Sequence, residues 1–337
     1  MEITNLLNKL LERKNLSMSE AKIFLQSVMK GEVLPTQLAA VFTALRMKGE
    51  TTDEIVGFIK AMREQMTKVN AKKAIDVCGT GGDGSNSFNI STTVAFVVAG
   101  TGVKVAKHGN RAASSKSGSA DVLETLGINI NLSKEQAEKV FDKVGMVFLF
   151  APAFHPAIKN VVAVRKELKI RTIFNFLGPF ANPASVDRQF IGVPNVEIAE
   201  KLINVGKNLK YKHLIVVTSK DGMDEISISD KTKVFELKNN KVKKYIIDPT
   251  KYGFEKYSKR EIVGGSAKQN SKFIIEVLGG VRNCKRDIVI LNSAVALYIS
   301  GKAKNIKEGI RLAEESIDSG KAKQVLENLI KETQKYA

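Results

Sequence analysis

The chain has 337 residues, 43% of them hydrophobic, so it can bury a sizeable core and exceeds one average domain; one large or two unequal domains are expected. Its two cysteines, Cys78 and Cys284, exclude a disulfide framework, its longest apolar runs (94–98 and 288–291) are far below the ~20 residues of a membrane helix, and its first residues lack a signal-peptide layout, so a cytoplasmic protein with no membrane span is expected. The net charge of +18 suits either nucleic acid or a lysine-rich surface that draws small anions, and lysines scattered among glutamates, without basic-aromatic alternation, favour the second.

In chain order, residues 1–68 read as four short helices. Ile3, Leu6, Leu7, Leu10 and Leu11 fall on one face of the first. Ser17 with Glu20 makes a capping box for the second, which ends near Gly31; Pro35 opens a third that stops at Gly49; Thr51 with Glu54 caps the fourth. Short connections make these antiparallel neighbours. So small a unit cannot bury its apolar surface alone, so it is expected to pack on the rest of the chain and on a second copy.

From residue 74 strands alternate with helices: strand 74–78, helix 91–100, strand 103–106, helices 119–126 and 134–144, strand 146–150. Further strands are expected at 189–193, 213–218 and 232–237, and helices at 196–209, 266–278, 287–300 and through the C-terminus. The expected fold class is α/β: a small helical domain, 1–68, joined to a larger domain, 69–337, with a mostly parallel central sheet. Ligands of such sheets sit beyond the carboxyl ends of strands.

Two loops fall at such ends. The first, Gly79-Thr80-Gly81-Gly82-Asp83-Gly84 running on to Asn89, Ser91 and Thr92, joins a strand to a helix and suits an anion, because glycines admit close approach and helix N-termini offer free N–H groups. It is no nucleotide P-loop, since no Gly-Lys-Ser/Thr follows, and dinucleotide binding lacks its ribose-binding acid. Alone, such a loop is as readily a plain turn. The second, 107–121, gathers Lys107, Arg111, Lys116, four serines and two glycines, a composition fit for phosphate. Asn89, Ser91 and Thr92 are helix caps, and Ser91 can also offer oxygen to a Mg²⁺ held mainly by a diphosphate. Asp224 and Glu225 are either surface acids or ligands of that ion. Arg165 can grip a substrate carboxylate or pair with Glu167 or Asp187, the structural pairing being the default. Pro152, Pro156 and Pro179 read as rigid bends, with a hinge expected over 171–183.

Together these segments resemble the anthranilate phosphoribosyltransferase family over nearly the whole chain. The carrying residues are Gly79–Gly84, Phe88–Thr92, Lys107–Arg111, Lys116–Glu124, Arg165, Arg171–Asn175 and Asp224-Glu225. The resemblance implies a hinged helical domain that dimerises, completed by a segment near 168–186, and a step of tryptophan biosynthesis. It assigns Gly79, His108, Asn110 and Arg165 to anthranilate. It assigns Gly79, Gly82, Asp83, Ser87, Asn89, Ile90, Ser91, Thr92, Lys107, His108, Gly109, Asn110, Arg111, Ala112, Ala113, Ser114, Ser115 and Ser119 to phosphoribosyl diphosphate. Ser91, Asp224 and Glu225 match Mg²⁺ positions. Three positions depart from the family pattern: Ser87 stands for threonine, Lys169 for glycine, and Ser266 for an acid after Gly264-Gly265.

No Ser-His-Asp order, paired carboxylates or activated cysteine is legible, so catalysis by positioning and charge is expected, with no covalent nucleophile. Two rivals are weighed. A pyrimidine nucleoside phosphorylase would be a longer chain with a different phosphate loop. A silent relative that binds nucleic acid would be expected to lose Arg165 and the acid pair, and both are present.

Overall fold

A computed structural model of the protein describes residues 2–112 and 116–337. The chain opens with helices α1 (Ile3–Leu11), α2 (Met18–Lys30), α3 (Pro35–Lys48) and α4 (Thr52–Gln65). The expected caps form: Ser17 Oγ accepts from Glu20 N (3.2 Å) while the Glu20 carboxylate accepts from Ser17 N (2.7 Å), and Thr51 and Glu54 repeat the pattern. Glu54 is buried beyond its capping role, taking Leu16 N (2.8 Å) and Lys48 Nζ (3.0 Å), which locks the α1–α2 turn to the end of α3.

The larger part follows as β1 (Asp76–Gly79), α5 (Ile90–Gly100), β2 (Val105–Gly109), α6 (Ser119–Thr125), α7 (Lys134–Val144) and β3 (Met146–Phe150). Then come α8 (Ala151–Phe154), α9 (Lys159–Leu168), α10 (Phe174–Phe180), β4 (Arg188–Gly192), α11 (Val196–Asn208), β5 (His213–Ser219), β6 (Thr232–Lys238) and β7 (Lys241–Ile247). Helices α12 (Ala267–Leu278), α13 (Cys284–Ser300), α14 (Ile306–Asp318) and α15 (Lys321–Gln334) complete it.

The main sheet has the order β1-β4-β5-β6-β7, and a parallel bridge from Ile75 to Val105 brings the β2-β3 pair alongside β1. Pairing is parallel from β3 across to β5 and antiparallel for β5–β6 and β6–β7, so the sheet is mixed. Alternate residues serve opposite faces, as strand geometry dictates. Ile191, Leu214, Val216 and Phe235 join one hydrophobic cluster with α11 and the N-terminal helices; Phe190, Ile215, Val217 and Val234 join the other with α5 and α13.

Two local expectations are corrected, the start of the second loop and the bend at Pro179. Strand β2 runs to Gly109, so Lys107, His108 and Gly109 are strand residues in register with Phe148, Leu149 and Phe150, and the second loop begins only at Asn110. The stretch 171–183 contains α10, with Pro179 inside the helix and Phe174, Phe176, Leu177 and Phe180 buried against the N-terminal helices; aromatic burial holds as helix what two prolines and a glycine suggest is a bend. Pro152 and Pro156 begin α8 and a 3₁₀ turn, where a missing N–H costs nothing. Strand β7, absent from the sequence reading, is an exposed lysine-rich edge without an apolar stripe.

Candidate active site

Beyond the carboxyl ends of β1 and β4, the first loop and the acid pair are interlocked. Gly81 N donates to Asp224 Oδ2 (2.7 Å), Thr80 N to Gly192 O (2.9 Å), and Asp224 N to Asp83 Oδ2 (3.2 Å). A Cβ on Gly79 would overlap the Asp224 carboxylate, and one on Gly192 the Asp224 carbonyl, so both strands must end in glycine for Asp224 to enter. Gly81, Gly82 and Gly84 hold φ of 71°, 72° and 73°, the left-handed region a side chain disfavours. Behind the loop, Gly264 N donates to Asn86 O (2.7 Å) and Phe88 N to Ile262 O (3.2 Å). The last glycine turn thus braces the first loop, and Ser266 caps α12 in a capping box with Gln269.

The second loop adjoins the first. Asn89 stands at the N-cap of α5, but its side chain does not cap: Nδ2 donates to Ser117 O (3.2 Å) and Oδ1 accepts from Asn270 Nδ2 (2.9 Å), stitching both loops to α12. Lys107 is buried behind them, its ammonium donating to Val77 O (2.7 Å) and Ser91 Oγ (3.1 Å). Gly109 is forced, since a Cβ there would strike Ser119 Oγ and the Phe148 ring. Ser119 Oγ donates to Asn110 O (3.2 Å), and Asp121 Oδ2 takes the N–H groups of Ala112 (3.0 Å) and Gly118 (2.8 Å). Arg111 pairs with Asp121 and Glu124 and lies over the Phe150 ring. Ile90 and Thr92 are each 1% exposed, packed in the core and not on the loop surface. Ser87 is half-buried and bridges Val263, while Ala113, Ser114 and Ser115 lie outside the described residues.

On α9, Arg165 makes neither expected ion pair. Asp187 is taken by Lys212 (2.6 Å), and among the described residues no carboxylate lies within ion-pair range of Arg165. Its guanidinium sits over the Phe174 ring (5.7 Å from centroid), Nη2 reaches Asn175 Oδ1 at 3.5 Å, and burial lowers its pKa. Arg171, to which the sequence reading gave no role, ties this side to the first loop: Nη1 donates to Gly82 O (3.1 Å). Thr80 Oγ1, His108 Nε2, Arg165 Nε, Arg171 Nη2 and Thr172 Oγ1 are buried there without a hydrogen-bond partner. Such atoms are uncommon in native folds, each costing ~1–3 kcal/mol, and call for a partner that the protein itself does not supply.

The electrostatics have two poles. Burial, reinforced by the neighbouring Asp83 charge, pushes the Asp224 carboxyl up to about 7, and burial beside Asp224 drives Glu225 well above the carboxylate range despite Lys107 nearby. Burial lowers His108 to about 3, helped by His155, and lowers His155 to about 4. His108 Nδ1 lies 3.1 Å from Gly178 O; a carbonyl only accepts, so the proton is on Nδ1 and Nε2 presents a lone pair.

Asp76, Asn182 and Gln189 were missed altogether. They form a buried polar cluster beneath β2, for which an acid inside an apolar strand was the available signal.

Fold and site together define a two-domain glycosyl transferase: residues 4–66 match the helical bundle domain of the glycosyl transferase family and residues 71–323 its a/b domain. The anthranilate phosphoribosyltransferase of Acetivibrio thermocellus is 49% identical over 332 residues, covering 98% of this chain and 96% of that protein. The crystal structure of the Thermus thermophilus anthranilate phosphoribosyltransferase superposes with a TM-score of 0.92 at 35% identity, covering 99% of this chain and 100% of that one. The Saccharomyces cerevisiae enzyme in complex with PRPP and Mg gives 0.92 at 30% identity (99% and 98% covered), and in complex with 4-fluoroanthranilate 0.90 at 29% (99% and 98%). The chain belongs to the anthranilate phosphoribosyltransferase family.

Proposed function

We propose that this chain binds phosphoribosyl diphosphate on its two loops and anthranilate against Arg165, and transfers the phosphoribosyl group to the amine, releasing diphosphate. The ligands bound by the yeast relative support this reading. The observation that carries it is the set of buried, unpartnered polar atoms on Thr80, His108, Arg165, Arg171 and Thr172, whose segments meet through Arg171 on Gly82.

The donor is met by Gly79, Gly82, Asp83, Ser87, the start of α5 at Asn89–Thr92, and the second loop from Lys107 to Ser119. The amino end of α5 adds its dipole to the field of the loop lysines. Arg165 takes the acceptor carboxylate, with Gly79, His108 and Asn110 around the ring. His108 is neutral across physiological pH, so its bare Nε2 accepts a hydrogen bond and is too weak a base for proton abstraction. As C1 of the ribose bonds the amine nitrogen, its bond to the diphosphate oxygen breaks, and the charge left behind is what the cationic loops stabilise.

Asp224 and Glu225 fit a divalent cation, with Ser91 next to the pair: burial and the neighbouring acids raise both carboxyls, a penalty that a cation would offset. Among the described residues no group of three or more His, Cys, Asp or Glu side chains is arranged around one point, which suits Mg²⁺ bound mainly by diphosphate. Bound there, the ion neutralises charge on the departing diphosphate.

The helical part is proposed to join two copies. Leu11 (67%), Leu34 (63%), Met47 (81%) and Val162 (57%) leave large apolar side chains exposed on it and on α9. Two free cysteines and the absence of a helix long and apolar enough to cross a membrane, among the described residues, suit a cytoplasmic enzyme.

One assay tests the activity. Loss of anthranilate fluorescence with phosphoribosyl diphosphate and Mg²⁺ is expected, with no thymidine phosphorolysis and no salt-dependent DNA shift; turnover of thymidine instead would overturn the reading.

A further inference from the structure

Four consecutive carbonyls at the end of α10 are each held by a side chain from a different part of the chain. His108 Nδ1 on β2 donates to Gly178 O (3.1 Å), Gln189 Nε2 on β4 to Pro179 O (2.7 Å), Arg63 Nε on α4 to Phe180 O (2.7 Å), and His155 Nε2 after α8 to Ala181 O (2.8 Å). A helix leaves its last carbonyls without intrahelical partners, and water or a simple cap ordinarily serves them; of these four, Gly178 O also takes the N–H of Ala181 (3.2 Å), and Ala181 is the C-cap residue. Here they are clamped. Near the other end of α10, Asn175 accepts from Thr172 N (2.9 Å) and lies 3.5 Å from Arg165 Nη2. The helix therefore has the guanidinium at one end and the base of the second loop at the other.

Gln189 is the hub of the clamp. It is fully buried, and its two amide protons go to Pro179 O and to Asp76 Oδ2 (3.0 Å), while its carbonyl accepts from Tyr211 OH (3.0 Å). Tyr211 in turn receives Arg63 Nη2 (3.1 Å) from the helical part, and Asp76 receives Asn182 Nδ2 (2.9 Å) and the backbone N–H of His108 (3.3 Å). This chain of bonds runs from α4 to β2 without a gap, and only an amide at position 189 has the donors and acceptor to complete it.

We propose that α10 is a strut that sets the spacing between Arg165 and the end of β2, and that Gln189 and Tyr211 are positioning residues for the transfer, touching neither substrate. The inference rests on the reading of Arg165 as the acceptor's anchor and of the β2 end as part of the donor site. Reaction between two bound molecules is far more sensitive to their mutual placement than binding of either is, since a shift of about 1 Å can cost on the order of 100-fold in rate.

The test uses Gln189→Leu and Tyr211→Phe in the full-length enzyme. Both are expected to lower kcat roughly 10- to 100-fold while the KM of each substrate stays within about threefold. Tyr211→Phe keeps the ring that meets Phe180 edge-on (centroids 5.7 Å apart), so it carries the test if Gln189→Leu fails to fold. In an Arg165→Ala background Tyr211→Phe should cost much less, because the strut then has nothing to aim. Wild-type kcat in folded Tyr211→Phe, or full additivity with Arg165→Ala, overturns the strut. A wild-type enzyme that fails to convert anthranilate overturns the functional reading instead.

Discussion

Arg165 is a half-buried cation whose neighbours are an aromatic ring and an amide, and that choice of company makes it available to a ligand. From sequence its default carboxylate partner was an internal acid; the capture of Asp187 by Lys212, and the place of Glu167 on the exposed side of α9, remove those two internal alternatives. Arg165→Ala is expected to weaken anthranilate by ~2 kcal/mol or more, a thirtyfold or larger rise in its KM, with the KM for phosphoribosyl diphosphate little changed. Equal effects on both would remove Arg165 from the acceptor site. Asp224 supplies a pH dependence. Its folded-state pKa lies above the unfolded value, so its contribution to the metal-free protein is fully present below about 4 and is lost as pH rises through about 7. A cation reverses this by favouring the ionised form. The rise in Tm produced by Mg²⁺ with phosphoribosyl diphosphate should therefore be larger at pH 8 than at pH 6, and Asp224→Asn should flatten the difference. Identical shifts at the two pH values would show that Asp224 does not meet the ion.

Helices with capping boxes or wide apolar stripes were legible from sequence, because those signals are local: Ser17 with Glu20 and Thr51 with Glu54. Elements whose only support is tertiary were not. Strand β7 is held by its ladder to β6 across a turn where Asn239 and Asn240 take φ of 51° and 60°, and its own residues are mostly solvated. Helix α10 exists because Phe174, Phe176, Leu177 and Phe180 fill a space left by the N-terminal helices. At the end of α9 the chain turns through Lys169 at φ 52°, where a side chain is strained. Lys169→Gly should relieve roughly 1–2 kcal/mol of that strain against about 0.4–1 kcal/mol that glycine's freedom in the unfolded chain costs, a net gain of up to about 1 kcal/mol. Urea unfolding checks it, and a lower midpoint would mean that the lysine stem contributes more by packing than its backbone costs.

At the scale of the molecule, the N-terminal helices are continuous in packing with α9, α10 and one face of the sheet, so the helical part and the sheet share a core. The exposed apolar residues of that same part lead to a clear expectation: Leu34→Asp combined with Met47→Asp should convert a dimer to a monomer in sedimentation at micromolar concentration while thermal unfolding changes little. A wild-type protein that sediments as a monomer would exclude the dimer. By itself, the sequence determined the alternation of strand and helix, the caps, and two glycine loops at strand ends, because each depends on residues a few positions apart. Only the tertiary structure decided which groups stand together in the site. Asp76 meets Gln189 across 113 positions and Gly81 meets Asp224 across 143, and no local period carries a contact of that separation. Such pairs form when the sheet closes, and the burial that follows raises the Asp224 carboxyl and lowers His108.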